Sequence, residues 1–431
     1  MHRMKHRIFG LKEHDTRVKS ELLAGFITFI TLVYIVVVNA SILADAGIPF
    51  EAGIIATALT AFAGSLIMGL WANSPIVIAP GMGVNALFTY TIVHGMGLSW
   101  QEALAAVFVS GILFMLIAFT KLASVIQQAI PTSLKEAITA GIGLFIAFIG
   151  MQKGGLIIAS KTTLVGIGHF GDIHVILTAI TLIVTIILFV RKVPGNLLIG
   201  IVFGTVLSML AGQLGDSTGA SSISWADAVG AIGAMSFQGA TSAVFWVATF
   251  SLVLVIVFEN IGLIHGQLHM LNQPEKFKRS LRASSVSVIV SGFVGSSPAI
   301  PAVETTAGIS AGGKTGLTSV TTGMLFLLSL FFIPVIKMIP DTAIAPILIL
   351  VGGLMMESVT KIPFADFTEG FPAFLVIAAI PLTSSIVDGI AFGFIMYPIL
   401  KAATGKWKQV GLPLYVIAAL FLLNFVLHAL G

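Results

Sequence analysis

Apolar residues in this chain come in blocks of roughly twenty, separated by short polar breaks, with no strand-like alternation. The windows fall near 21–39, 52–70, 76–93, 101–119, 134–151, 173–190, 194–213, 243–262, 283–297, 298–312, 317–336, 343–357, 367–383, 385–401 and 411–429. A helix of about 20 apolar residues spans the hydrocarbon of a bilayer. The pattern predicts an all-α polytopic membrane protein. The first fourteen windows thread with the polar stretch 1–20 in the cytoplasm. Nineteen Lys and Arg then fall inside, and only Lys153, Lys161 and Lys337 fall outside. That asymmetry is the one expected of cytoplasmic loops. The stretch 411–430 is either a further crossing or a helix packed on the bundle. The first span starts near Glu21 with no small-residue cleavage site after it, so it reads as a retained helix.

The longest polar interruption, 214–242, reads as a linker between two halves of seven segments, 21–213 and 243–401. Seven is odd, so the halves have opposite topology. Inverted repeats of this kind carry a transport site near the midplane of many carriers. A faint repeat agrees. The third segment reads NSPIVIAPGMGVNALFTY and the tenth SSPAIPAVETTAGISAGG. Each has Ser-Pro, a second Pro, then small residues, and each is followed by a helix opening on Gly-Leu-Ser or Gly-Leu-Thr. Proline donates no backbone bond and glycine weakens helices, so each segment is expected to start extended and turn helical partway. Open backbone at membrane depth is tolerated where it is buried or lines a cavity. A kink serving packing alone is the other explanation.

Composition narrows the classes. The chain of 431 residues is 57% hydrophobic and 9% charged, with mean hydropathy +1.06, which excludes a soluble globule. It has no cysteine, so thiolate metal sites, disulfides and thiol catalysis are excluded. The pI near 9.2 reflects cytoplasmic loops rather than nucleic-acid binding, since no basic run interleaves with aromatics. No metal-binding spacing or nucleotide-binding loop occurs, so no metal, cofactor or ATP motor is expected.

Two carboxylates stand inside apolar segments. Glu259 closes the run FWVATFSLVLVIVFE, and Glu304 follows the prolines of the tenth segment. Charges at this depth are costly and face cavities that carry function. Either could instead be a structural acid paired with a neighbour. A carboxyl group shielded from water also takes up a proton readily, which suits proton coupling. Asn260 sits beside Glu259, and Val303 and Thr305 flank Glu304. In PGMGVNALF, Asn85 offers an amide, Gly81, Met82 and Gly83 a close backbone, and Phe88 a flat apolar face. Asn39, deep in the first segment, is either a site residue or a helix–helix hydrogen bond. His265 and His269 are expected after the eighth segment, toward the cytosol.

At these residues the chain resembles the nucleobase–cation symporter family, in its AzgA-like purine permease branch. The resemblance runs from about Thr16 to the C-terminus and is carried by IAPGMGVNALF, AGIGLFIAFIG, Glu259 with Gly262, and VETTAGISAGGKTGL. It implies fourteen transmembrane segments as two inverted repeats of seven. Segments 1–4 (21–119) and 8–11 (243–336) would form a core, and segments 5–7 (134–213) and 12–14 (343–401) a gate. Extended stretches of segments 3 and 10 would meet at the midplane. It implies a non-enzymatic carrier in the plasma membrane that imports adenine, guanine or hypoxanthine with a proton by elevator or rocking motion. Glu259 and Glu304 would hold the base and couple the proton. Asn85, Gly81 to Gly83 and Val303 would form the walls. A homodimer is left open. The branch pattern Asp-Thr-x-Gly-Thr is Glu259-Asn260-Ile261-Gly262-Leu263 here, and Pro298-Ala299-Ile300-Pro301 stands where hydroxyl residues are usual. Another cargo on the same fold, a uracil- or xanthine-like base or an inorganic anion, stays open. A channel or a membrane enzyme fits less well.

Overall fold

The computed structural model describes residues 9–120, 122–123, 130–160, 163–213 and 229–430. Lys121, Lys161, the first eight residues and most of the linker, 214–228, lie outside the described residues. The first half contains α1 (Val18–Leu32), α2 (Ile35–Asp45), α3 (Phe50–Trp71), β1 (Ile78–Pro80), α4 (Met82–Ala86), a π-helix (Leu87–Gly95), α5 (Trp100–Phe119), α6 (Thr132–Lys153), β2 (Ile157–Ser160), β3 (Leu164–Ile167), α7 (Ile173–Val190) and α8 (Asn196–Leu210). The second contains α9 (Ala243–Met270), α10 (Phe277–Val294), β4 (Ala299–Pro301), α11 (Thr305–Ser310), α12 (Gly316–Ser329), α13 (Ile333–Ile336), α14 (Asp341–Met355), α15 (Phe367–Thr383), α16 (Ile386–Ala403) and α17 (Leu412–Leu430).

Among the described residues, nine helical stretches are long and apolar enough to cross a membrane, α1 and α2 counting together. The windows 76–93 and 298–312 are not through-going helices. Each opens on a three-residue strand; the first then runs through α4 into the π-helix to Gly95, and the second into the short α11. The window 283–297 belongs to α10, whose interior is rich in serine. The eighth helix runs on to Met270, so His265 and His269 ride its last turns, with ring centroids 6.5 Å apart. The hairpin β2–β3 was not anticipated.

Helix limits follow local chemistry. Ser99 and Glu102 form a capping box at the start of α5. Gly295, at φ 93°, ends α10 in a left-handed turn and frees the chain to extend into β4. Helix faces are sorted for lipid. On α7, Ile176, Ile180, Ile183 and Ile187 are exposed while Thr178, Thr181 and Thr185 are buried. The threonines meet glycines of α8: a Cβ on Gly200 would lie 2.4 Å from Thr185 Oγ1, and one on Gly204 2.6 Å from Thr181 Cγ2. Small residues let helices approach where no hydrophobic effect drives them together.

Two packing groups emerge. In one, α3 packs on α10 and α12, α5 on α9 and α10, and α1 on α11 and α12. In the other, α6 packs on α14 and α15, α7 on α8 and α14, and α15 on α16. The helix α17 lies against α16. The described part of the linker is docked rather than loose: Gly233 N donates to Phe293 O (2.8 Å) and Ser236 N to Gln101 O (3.0 Å).

One buried acid serves the first group alone. Glu21 is 0% exposed. It accepts bonds from Thr16 Oγ1 (2.9 Å), Lys314 N (3.0 Å), Thr315 N (3.2 Å) and Thr318 Oγ1 (2.6 Å). It ties the start of α1 to the start of α12. Glu21→Ala strands those donors and is expected to cost on the order of 3 kcal/mol of stability. A clear drop in the thermal midpoint of detergent-purified protein checks this; an unchanged midpoint would refute it.

Candidate substrate site

The broken segments meet. Strands β1 and β4 pair antiparallel, with Ile78 opposite Pro301, Ala79 opposite Ile300 and Pro80 opposite Ala299. Gly81 N donates to Pro298 O (3.3 Å) and Ala302 N to Val77 O (2.8 Å). The prolines thus stop each helix, and each extended stretch recovers its backbone bonds from the other. Thr305 Oγ1 accepts from Val77 N (3.1 Å) and anchors the entry to β1. Gln267 Nε2 donates to Ala302 O (2.7 Å) from α9.

Glu259 projects from α9 against the start of α4. A Cβ on Gly83 would sit 2.8 Å from Glu259 Oε1 and 3.1 Å from Ile142 Cγ2. Only glycine leaves room for the acid there. Glu259 Oε2 is buried and has no hydrogen-bond partner, and the same holds for Asn85 Nδ2. An orphan acceptor therefore belongs to the α9–α4 corner, and an orphan donor to the amide that Ser297 holds on α4. Buried polar atoms are nearly always paired, and Glu259 is set apart from other orphans, such as Thr178 and Thr181 of α7, by being a carboxylate against a broken segment. Gly83→Ala is expected to cut uptake severely while the protein stays in the membrane. Uptake assays with membrane quantification check it; normal uptake would remove Gly83 from the site.

Glu304 is the N-cap residue of α11. Tyr34 OH donates to its Oε1 at 2.5 Å. Tyr34 stands at the break between α1 and α2 and is 2% exposed. Val303 beside it is 60% exposed, so this corner opens outward from the packed interior.

The remaining candidates stand behind this front. Asn39 Nδ2 donates to Thr57 Oγ1 (2.8 Å) and lies 3.4 Å from Ser296 Oγ. Ser297 Oγ lies 2.5 Å from Asn85 Oδ1 and 3.2 Å from Asn39 Oδ1, bridging the two amides. Asn260 donates to Ile256 O (2.8 Å) and accepts from Ser284 Oγ, so it faces α10. Phe88 lies in the π-helix with no exposed surface. Met82 is partly buried at the start of α4. The structure sets Glu259 against Gly83, places Glu304 beside Val303 and in contact with Tyr34, and ties Asn39 to Asn85 through a serine.

Sequence reasoning missed Tyr34, Ser297 and Gln267. Tyr34 did leave a signal: a phenol inside an apolar run needs a hydrogen-bond partner. Among the described residues, no group of three His, Asp or Glu could hold a metal ion.

The pattern of a family described as "Permease family" matches residues 19–392. The nucleobase transporter PlAzg2 of Paenibacillus larvae is 53% identical over 381 residues, covering 88% of this chain and 76% of that one. The guanine/hypoxanthine permease PbuO of Bacillus subtilis is 40% identical over 433 residues, covering 97% and 99%. The adenine permease AdeQ of Escherichia coli is 38% identical over 427 residues, covering 98% and 96%. Among solved structures, the transmembrane domain of the cyanobacterial bicarbonate transporter BicA superposes with a TM-score of 0.67 at 15% identity, covering 87% of this chain and 97% of that one. That likeness concerns the fold.

Proposed function

The chain belongs to this permease family, and from that premise we propose that it imports a purine nucleobase together with a proton. The relatives named for guanine, hypoxanthine and adenine support the substrate class. The observation that carries the reading is the pair of orphaned polar atoms, Glu259 Oε2 and Asn85 Nδ2. A purine offers both ring N–H donors and ring-nitrogen or carbonyl acceptors, so it carries a partner for either kind of atom. Glu304 takes a second edge of the base, and the backbone from Gly81 to Gly83 and around Val303 forms the walls. Asn39, Asn260 and Thr305 act as scaffold, their polar atoms being engaged by neighbours. Phe88 supports the wall from within.

In this reading the fourteen segments form two inverted repeats with the N-terminus in the cytoplasm of a plasma-membrane protein. The first packing group is the substrate-holding core and the second the gate. Alternating access comes from moving one against the other. Glu259 and Glu304 carry the proton. Two carboxylates at the broken segments oppose an anionic cargo.

Purified protein in a thermal-shift assay against a panel of bases tests this, with Glu304→Gln alongside. The expected result is a purine-specific rise in midpoint that the variant loses. No shift with any base, in folded monodisperse protein, would assign another cargo to the fold.

A further inference from the structure

Tyr34 has no role in the reading above beyond its contact with Glu304. Its geometry gives it one. The phenol is buried in the wall between α1 and α2, and its single proton is spent on Glu304 Oε1 at 2.5 Å. A hydroxyl group has only one proton to give. Oε1 is thereby engaged on the wall side, and the carboxyl group cannot swap its two oxygens without breaking that bond. Oε2 is the oxygen left for a ligand. A proton that Glu304 takes up is favoured on Oε2, because protonating Oε1 would weaken the bond it accepts from the phenol.

We propose that Tyr34 is a positioning residue that makes Glu304 a one-sided group and thereby sets which purine edge it reads. This rests on the reading of Glu304 as a base-binding carboxylate. With Oε1 held, the ionised Oε2 accepts from a ring N–H, as at N1 of hypoxanthine. The protonated Oε2 donates to a ring nitrogen, as at N1 of adenine. The protonation state then selects between the two bases. Without the phenol, the carboxyl group can rotate and present either a bare oxygen or a hydroxyl in one state. Discrimination between donor-edged and acceptor-edged bases should fall.

The test is Tyr34→Phe, which keeps the ring and removes the hydroxyl, in uptake assays with hypoxanthine and adenine. The expected result is a KM about tenfold higher for the preferred base, with maximal rate nearly unchanged and the preference between the two bases reduced. A packing defect would lower the amount of protein in the membrane without changing that preference. Glu304→Asp, which draws the carboxyl group away from the phenol, is the second arm. The double variant should be no worse than Glu304→Asp alone, since both break one interaction. Additive losses would overturn the proposal. So would an unchanged KM and preference in Tyr34→Phe while Glu304→Gln is inactive; in that case only the role of Tyr34 fails. Normal uptake in Glu304→Gln would remove both this role and the base-binding reading of Glu304.

Discussion

Glu259→Ala is expected to lower purine uptake by about a hundredfold, the loss of a hydrogen bond to a charged group, with the protein still abundant in the membrane. The contrast with Glu21 shows why. Both are acids on membrane helices. Glu21 accepts four bonds from the protein and is spent on the fold. Glu259 has a buried oxygen that nothing in the protein uses. Removing it therefore leaves no stranded protein donor at that oxygen, so the fold should tolerate the change. The loss should fall on the cargo. Glu259→Gln keeps the size and one acceptor and should be only partly rescued. Radiolabelled uptake with quantified membrane protein measures this. Full uptake in Glu259→Ala would remove the acid from the site.

The second large effect is expected at the other end of the helices. Lys153, closing α6, makes an ion pair with Asp45 Oδ2 of α2 at 2.8 Å, and Tyr90 OH donates to the same oxygen at 2.5 Å. Asp45 ends α2, which packs on α3 of the first group, and Lys153 ends α6 of the second. If one group moves against the other during transport, this contact must break in every cycle. The chain has no native cysteine, so a Cys pair is the sole target of a thiol reagent. The variant Asp45→Cys with Lys153→Cys, bridged by a short thiosulfonate crosslinker, should lose nearly all uptake and regain it on reduction. Each single variant should be unaffected by the reagent. Transport at full rate in the bridged protein would sink relative motion at this contact.

Some of this was legible from the residues. Glu259 and Glu304 stood out because a charge in an apolar run is too costly to be incidental. The broken segments were legible because closely spaced prolines stand there with glycines and small residues; α15 carries Pro372 and Pro381 and stays helical, so prolines alone would not have marked them. The rest depends on which faces meet. Glu21 read as the edge of the first span because it borders the polar N-terminus; three of its four partners are Lys314, Thr315 and Thr318, out of reach of any local pattern. Ser297 was visible as the serine of the tenth segment's Ser-Pro, but its bridge between Asn85 and Asn39 joins residues more than 200 positions away, which no local pattern reveals. The extension of α9 to Met270 was hidden because histidines at its end look like a loop.

The ribbon of β1 and β4 has a consequence for how this sequence can change. A Cβ on Gly81 would lie 2.2 Å from Ile300 Cδ1, so the side chain of one strand occupies the room left by the other. Gly81 and Ile300 share a single volume although they come from opposite halves of the chain. Enlarging one without trimming the other has nowhere to go. In a mutational library these positions should be tolerant only as pairs, large for small and small for large. The two halves of the chain are bound at this point to vary as one unit.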